Sequence, residues 1–137
     1  MPNDSRAYLF IARWDLDPAD VSAAIGREPT RSYVRGGTPY DLSPRAADHG
    51  AWMLDSPAPR SAHLDTHVEA LLDLLAPYAD GVRRVAERYE AGINCVAYYA
   101  DWTPGIHLTP ETVRRAADLG LSFDFDLYFL GERDAPT

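Results

Sequence analysis

Leu121-Ser122-Phe123-Asp124-Phe125-Asp126-Leu127-Tyr128-Phe129 changes side-chain character at every step. Successive side chains of an extended chain point to opposite faces. Phe123, Phe125, Leu127 and Phe129 therefore share one side, and Ser122, Asp124, Asp126 and Tyr128 the other. A strand with one apolar side needs a layer to cover it, and the segments before it supply helices. Thr109-Pro110-Glu111 opens one with a threonine cap, a proline at the first position and an acid in the first turn; Val113, Ala116, Ala117 and Leu119 face inward, and Gly120 ends it. Upstream, Ile93 to Ala100 reads as a strand apolar on both faces.

The clearest helix runs from His63 to Tyr78, with Leu64, Val68, Leu71, Leu72 and Leu75 at steps of three and four. Val82 to Tyr89 follows as a shorter one, with Val82, Val85 and Ala86 inward. Nearer the start, Tyr8 to Trp14 is a strand, and Asp17-Pro18 opens a helix of about two turns that Gly26 stops. Ala51 to Asp55 is another strand, ended by Pro57 and Pro59. Between these lies a stretch, 27–51, with Pro29, Gly36, Gly37, Pro39, Pro44 and Gly50 and with Arg27, Arg31, Arg35 and Arg45 spaced along it. It exceeds the usual loop length, although a short strand around Arg31 to Val34 fits within it. The order of elements predicts a single α+β domain over 1–137: a mostly antiparallel sheet with helices packed on one face, a long arginine-bearing loop at 27–51 and a frayed tail at 131–137.

Composition excludes several functions. The chain has 137 residues, 13 basic and 21 acidic, for a formal net charge of −8. Every basic residue is arginine, so a Schiff-base lysine and a lysine-bearing phosphate loop are excluded. The acidic balance argues against nucleic-acid binding, which needs a basic stripe. The single Cys95 sits in an apolar run and reads as a core residue. No apolar stretch is long enough to span a membrane, and Met1 to Arg6 does not read as a signal peptide, so a cytoplasmic protein is expected.

Several short pieces, in order along most of the chain, resemble the DUF4279 family of bacterial and phage proteins. They are Leu16-Asp17-Pro18 with the helix to Ile25-Gly26, Pro29-Thr30 with Gly36 following, and Trp52-Met53-Leu54 before a Ser/Pro turn. The leucine-rich helix through Leu71-Leu72-Leu75, then Leu108-Thr109-Pro110-Glu111, and the closing Phe125-Asp126-Leu127-Tyr128 complete the set. The resemblance implies one compact α+β domain and brings no catalytic residues to carry over. Small acidic domains of this sort occur as immunity or accessory proteins in bacterial conflict systems.

The residues leave three readings open. The first is a non-enzymatic interaction module, immunity-like, that binds a basic protein partner. Asp65, Glu69 and Asp73 form an acidic stripe at i, i+4, and they join Arg31, Arg35 and Arg45 of the loop and the amphipathic Trp52 and Trp102 as contact residues. The second is a small-molecule-binding protein or enzyme with a pocket, for a small anionic ligand, between the Asp124/Asp126/Tyr128 sheet face and the 27–51 loop. There Asp126 acts as acid/base, Asp124 is its electrostatic neighbour, Tyr128 a donor, and Arg35 or Arg45 an anion clamp. Pairing of those two carboxylates with loop arginines is the structural alternative for the same row. The third needs a metal on His63 and His67, four apart on a helix, with a further ligand that the sequence does not show. His49 and His107 stand in loops near aromatic residues, without a serine or cysteine elbow, and Gly36-Gly37 beside Arg35 reads as a flexible turn. No cofactor is expected.

Overall fold

A computed structural model describes residues 4–37, 46–100 and 105–129. Arg45, Trp102 and the tail 131–137 lie outside the described residues.

Among the described residues, five strands form one sheet. They are β1 (Asp4–Arg13), β2 (Arg31–Tyr33), β3 (Gly50–Asp55), β4 (Glu90–Tyr99) and β5 (Ser122–Phe129), in the order β2-β3-β1-β4-β5. Pairings β1–β3, β1–β4 and β2–β3 are antiparallel, and β4–β5 is parallel. The helices are α1 (Pro18–Ile25), α2 (Leu64–Leu75), α3 (Ala79–Arg88) and α4 (Pro110–Asp118), with a 3₁₀ turn, Ala76–Tyr78, between α2 and α3. The expected α+β class is what the chain adopts.

Local chemistry explains the helix ends. The Asp17 carboxylate accepts from the Ala19 amide at 3.0 Å, and the Thr109 hydroxyl oxygen accepts from the Thr112 amide at 3.2 Å. Gly26 closes α1 at φ 89°, the left-handed conformation that glycine adopts without a Cβ clash, and its amide bonds back to the Ser22 carbonyl. Pro77 coincides with the switch from α2 to the 3₁₀ turn, where its missing N–H interrupts the ladder.

The main core lies between the sheet and the helices. Ala7, Leu9 and Ile11 of β1, Trp52 and Leu54 of β3 and Ile93, Cys95, Ala97 and Tyr99 of β4 meet residues from all four helices. These strand positions share one parity, so the helices cover one face of the sheet. The α2 stripe Leu64, Val68, Leu71, Leu72 and Leu75 is buried against it, at about 1.5–3 kcal/mol per fully buried side chain.

The described part of the 27–51 excursion holds the short strand that fits within its composition. Arg31, Ser32 and Tyr33 pair with Met53, Trp52 and Ala51 as an edge strand. Phe123, at the start of β5, packs on the core as its alternation predicts. Phe125, Leu127 and Phe129 do not: they are 42%, 47% and 42% exposed. The reason is topological. β5 is an edge strand, and α4, which leads into it, packs on α2.

Candidate functional site

The face of the sheet opposite the helices is built by the other strand parity. Register lines it up in rows. Arg31, Met53, Phe10, Gly92 and Ser122 form one, and Asp55, Tyr8, Asn94 and Asp124 the next. Arg6, Val96 and Asp126 follow, then Asp4, Tyr98 and Tyr128. Met53, Ala12 and Ala51 make a small second cluster here, with Tyr8, Phe10 and Tyr33 packed half-buried against it.

The β1–β2 side of this face carries the cations, and they are engaged. Arg31 donates to the Asp55 carboxylate at 2.6 Å and lies 4.8 Å over the Tyr8 ring; Arg6 lies over the same ring at 5.6 Å. The β5 side carries carboxylates. Asp124 and Asp126 are exposed and make no hydrogen bond or ion pair with the described residues. With Phe10, Glu90, Asn94 and Ser122 they line an open hollow of about 580 Å³. Tyr128 stacks on Tyr98, with centroids 5.0 Å apart and planes at 14°. Phe10 and Glu90 also border a second hollow of about 700 Å³, shared with Arg13, Trp14, His49, Arg88 and Tyr89.

The proposed pairing of Asp124 and Asp126 with loop arginines does not occur among the described residues. β2 and β5 are opposite edges of a five-stranded sheet, about 19 Å apart at the usual strand spacing, and Arg31 spends its charge on Asp55. Arg35 lies 5.4 Å over the Trp14 ring. Trp52 is a correction: it is 0% exposed at the centre of the core, its indole N–H donating to the Ser22 hydroxyl at 3.0 Å, so it is no contact residue.

The acidic stripe belongs to α2, on the other side of the sheet. Asp73 accepts from Arg115 of α4 at 2.8 Å, and Asp65 is half-buried, its carboxylate accepting from the Thr66 amide at 3.1 Å; only Glu69 stands exposed without such a partner. The histidine pair is split. His63 is the exposed cap residue, whereas His67 is buried, its Nδ1 3.0 Å from the Ser56 hydroxyl. Among the described residues no group of three histidine, cysteine, aspartate or glutamate side chains is placed to hold a metal.

Burial pushes the His67 pKa below the ordinary 6.5, more strongly than the backbone of Pro59 and Ser5 pulls it up. Above 6.5 the imidazole is neutral in both native and unfolded chains. As pH falls below 6.5, the unfolded chain takes a proton that the native one refuses, so stability declines, at no more than about 1.4 kcal/mol per pH unit. Urea unfolding at a series of pH values reads this as a slope just below pH 6.5 that His67→Gln removes.

Two features are hidden in the sequence, and a third residue, His49, reads there only as a loop histidine near aromatic residues. Tyr8 and Phe10 escaped because β1 is apolar on both faces, which erases the alternation that marks an exposed side. Asn94 sits inside an apolar run, where its amide reaches the Tyr8 hydroxyl at 3.3 Å. His49 bridges Tyr33 and Asp48, with Nε2 2.8 Å from the phenol and Nδ1 2.6 Å from the carboxylate; the histidine lowers the Asp48 pKa through that bond and its charge.

The model of the family described as "Domain of unknown function (DUF4279)" matches residues 3–130, nearly the whole chain. The chain belongs to the DUF4279 family. The order of strands and helices described above is thus the architecture of a DUF4279 domain. No curated protein and no solved structure matches it. No helix among the described residues of this DUF4279 chain is long and apolar enough to cross a membrane.

Proposed function

We propose that this DUF4279 chain is a non-enzymatic interaction module that takes a basic protein partner on the open face of its sheet, centred on β5. The observation that carries the reading is that, among the described residues, Asp124 and Asp126 have no partner and no helix covers their face, beside half-buried aromatic rings. Carboxylates that have no partner among the described residues are free to pair with an arriving arginine or lysine, and each new pair is charge-assisted. The net charge of −8 steers such a partner toward the molecule. The α2 stripe is the weaker surface, because Arg115 already holds Asp73. An immunity-type role, in which the module covers a basic partner and so blocks it, is the form of this reading we favour.

Chemistry does not favour catalysis. Cys95, the only thiol, is sealed in the core and its pKa is pushed up to about 12 by burial, with the Asp124 charge adding to it. The second hollow is large enough for a small anionic ligand, since such sites span about 300–1,000 Å³. Its cations are committed, however: Arg13 bonds Asp15 at 3.0 Å and the Arg88 carbonyl at 3.3 Å, and Arg88 lies over the Tyr89 ring.

Immobilised full-length chain should capture a stoichiometric basic protein from a native lysate at low salt and release it at about 0.5 M salt. D124R/D126R should lose that protein, while E69R on α2 keeps it. Equal capture by D124R/D126R and wild type, or loss in E69R alone, contradicts the assignment of the face.

A further inference from the structure

The outer edge of β5 has no neighbouring strand, and none of the backbone hydrogen bonds outside the sheet ladders involves residues 122–129 among those described. Exposed edges of this kind are normally blunted by charged side chains, proline, a bulge or a covering element, because their unpaired N–H and C=O groups recruit any extended chain. β5 has no proline over eight residues, carries its two charges, Asp124 and Asp126, on one face alone, and is paired with β4 in continuous register from Gly92–Ser122 to Tyr99–Phe129. Its outward side chains are sorted: Phe125, Leu127 and Phe129 lie exposed on the helix side, and Asp124, Asp126 and Tyr128 on the open side.

We infer that the partner binds by adding an extended segment to β5 as a sixth strand, and that this segment alternates basic with apolar residues. The inference rests on the functional reading above and gives the partner's chemistry at that site. In an added strand, residues directly opposite one another share a face about 4.5–5.5 Å apart. An arginine or lysine therefore meets Asp124 and Asp126 on the open side, and the next basic residue reaches the Tyr98–Tyr128 stack, whose ring faces attract a cation. The intervening positions place valine, leucine or phenylalanine on Phe125, Leu127 and Phe129. Main-chain bonds supply adhesion, and the two sorted faces supply selection.

A second copy of the chain is the poorer occupant. Pairing β5 with itself in one continuous sheet places both aspartate rows on the same face, between molecules that each carry a net charge of −8.

The probe is a synthetic octapeptide alternating arginine and leucine, with the same eight residues arranged as two blocks for comparison. Against the full chain at about 0.15 M salt, the alternating peptide should bind about tenfold more tightly, the combined effect of several cross-strand pairs. Phe125→Ser/Leu127→Ser, at exposed positions, should reduce its affinity to that of the block peptide. Methylating the alternate backbone nitrogens of the peptide in one phase, and not in the other, should cost about tenfold. Equal affinity of the two peptides, or indifference to both methylation phases, overturns strand addition, and the basic-partner reading then stands or falls on D124R/D126R alone. A micromolar dimer of the free chain, dissociated by L127R, gives the edge to a second copy and overturns the inference.

Discussion

Trp52→Ala is expected to lower the free energy of unfolding by about 3–5 kcal/mol, a large part of the roughly 5–15 kcal/mol a domain has. Trp52 is wholly buried in β3, with β1 on one side and β2 on the other, and its indole N–H anchors Ser22 of α1. Removing the ring opens a cavity where sheet and helix layer meet and leaves the Ser22 hydroxyl without that donor. Trp52→Phe keeps most of the volume and loses the hydrogen bond, so it should cost less than half as much. Urea unfolding monitored by circular dichroism measures both. A loss below about 1 kcal/mol for Trp52→Ala would mean that Trp52 is not a core residue.

Gly81→Ala should destabilise where helix propensity predicts the reverse. Gly81 lies in α3, and alanine in a helix interior is ordinarily favoured over glycine by about 1 kcal/mol. Here α3 runs so close to α1 that an added Cβ would collide with the Ala24 carbonyl oxygen and come within 2.7 Å of the Ile25 Cα. Backbone cannot yield as a flexible side chain can, so the helices must separate, and Arg84, which donates to that same Ala24 carbonyl at 3.2 Å, shifts with them. Overpacking of this kind costs about 1–3 kcal/mol and outweighs the propensity gain. A more stable Gly81→Ala variant would contradict the observed approach of α1 and α3.

Much of the fold is legible in local chemistry because caps and periodicity act within a few residues. Asp17-Pro18 and Thr109-Pro110 mark helix starts through their own side chains, and the α2 leucines sort by steps of three and four whatever they pack on. What the sequence hides is the identity of each neighbour. The alternation in β5 separates its two faces correctly, yet Phe123 is covered while Phe125, Leu127 and Phe129 are not, a difference made by strand order and the position of α4. Trp52 has the residue type of an interface anchor and the neighbours of a central strand; only the second decides its place. The arginines of 27–51 share a segment, but Arg31 and Arg35 take local partners, Asp55 and Trp14, because β2 stands at the far edge from β5.

The open sheet face as the contact surface is tested most directly by amide hydrogen exchange of the full chain, alone and saturated with the captured basic partner. Slowed exchange is expected along residues 90–99 and 122–129, with α2 unchanged. Slowing confined to residues 64–75 would return the contact to the acidic stripe and contradict it.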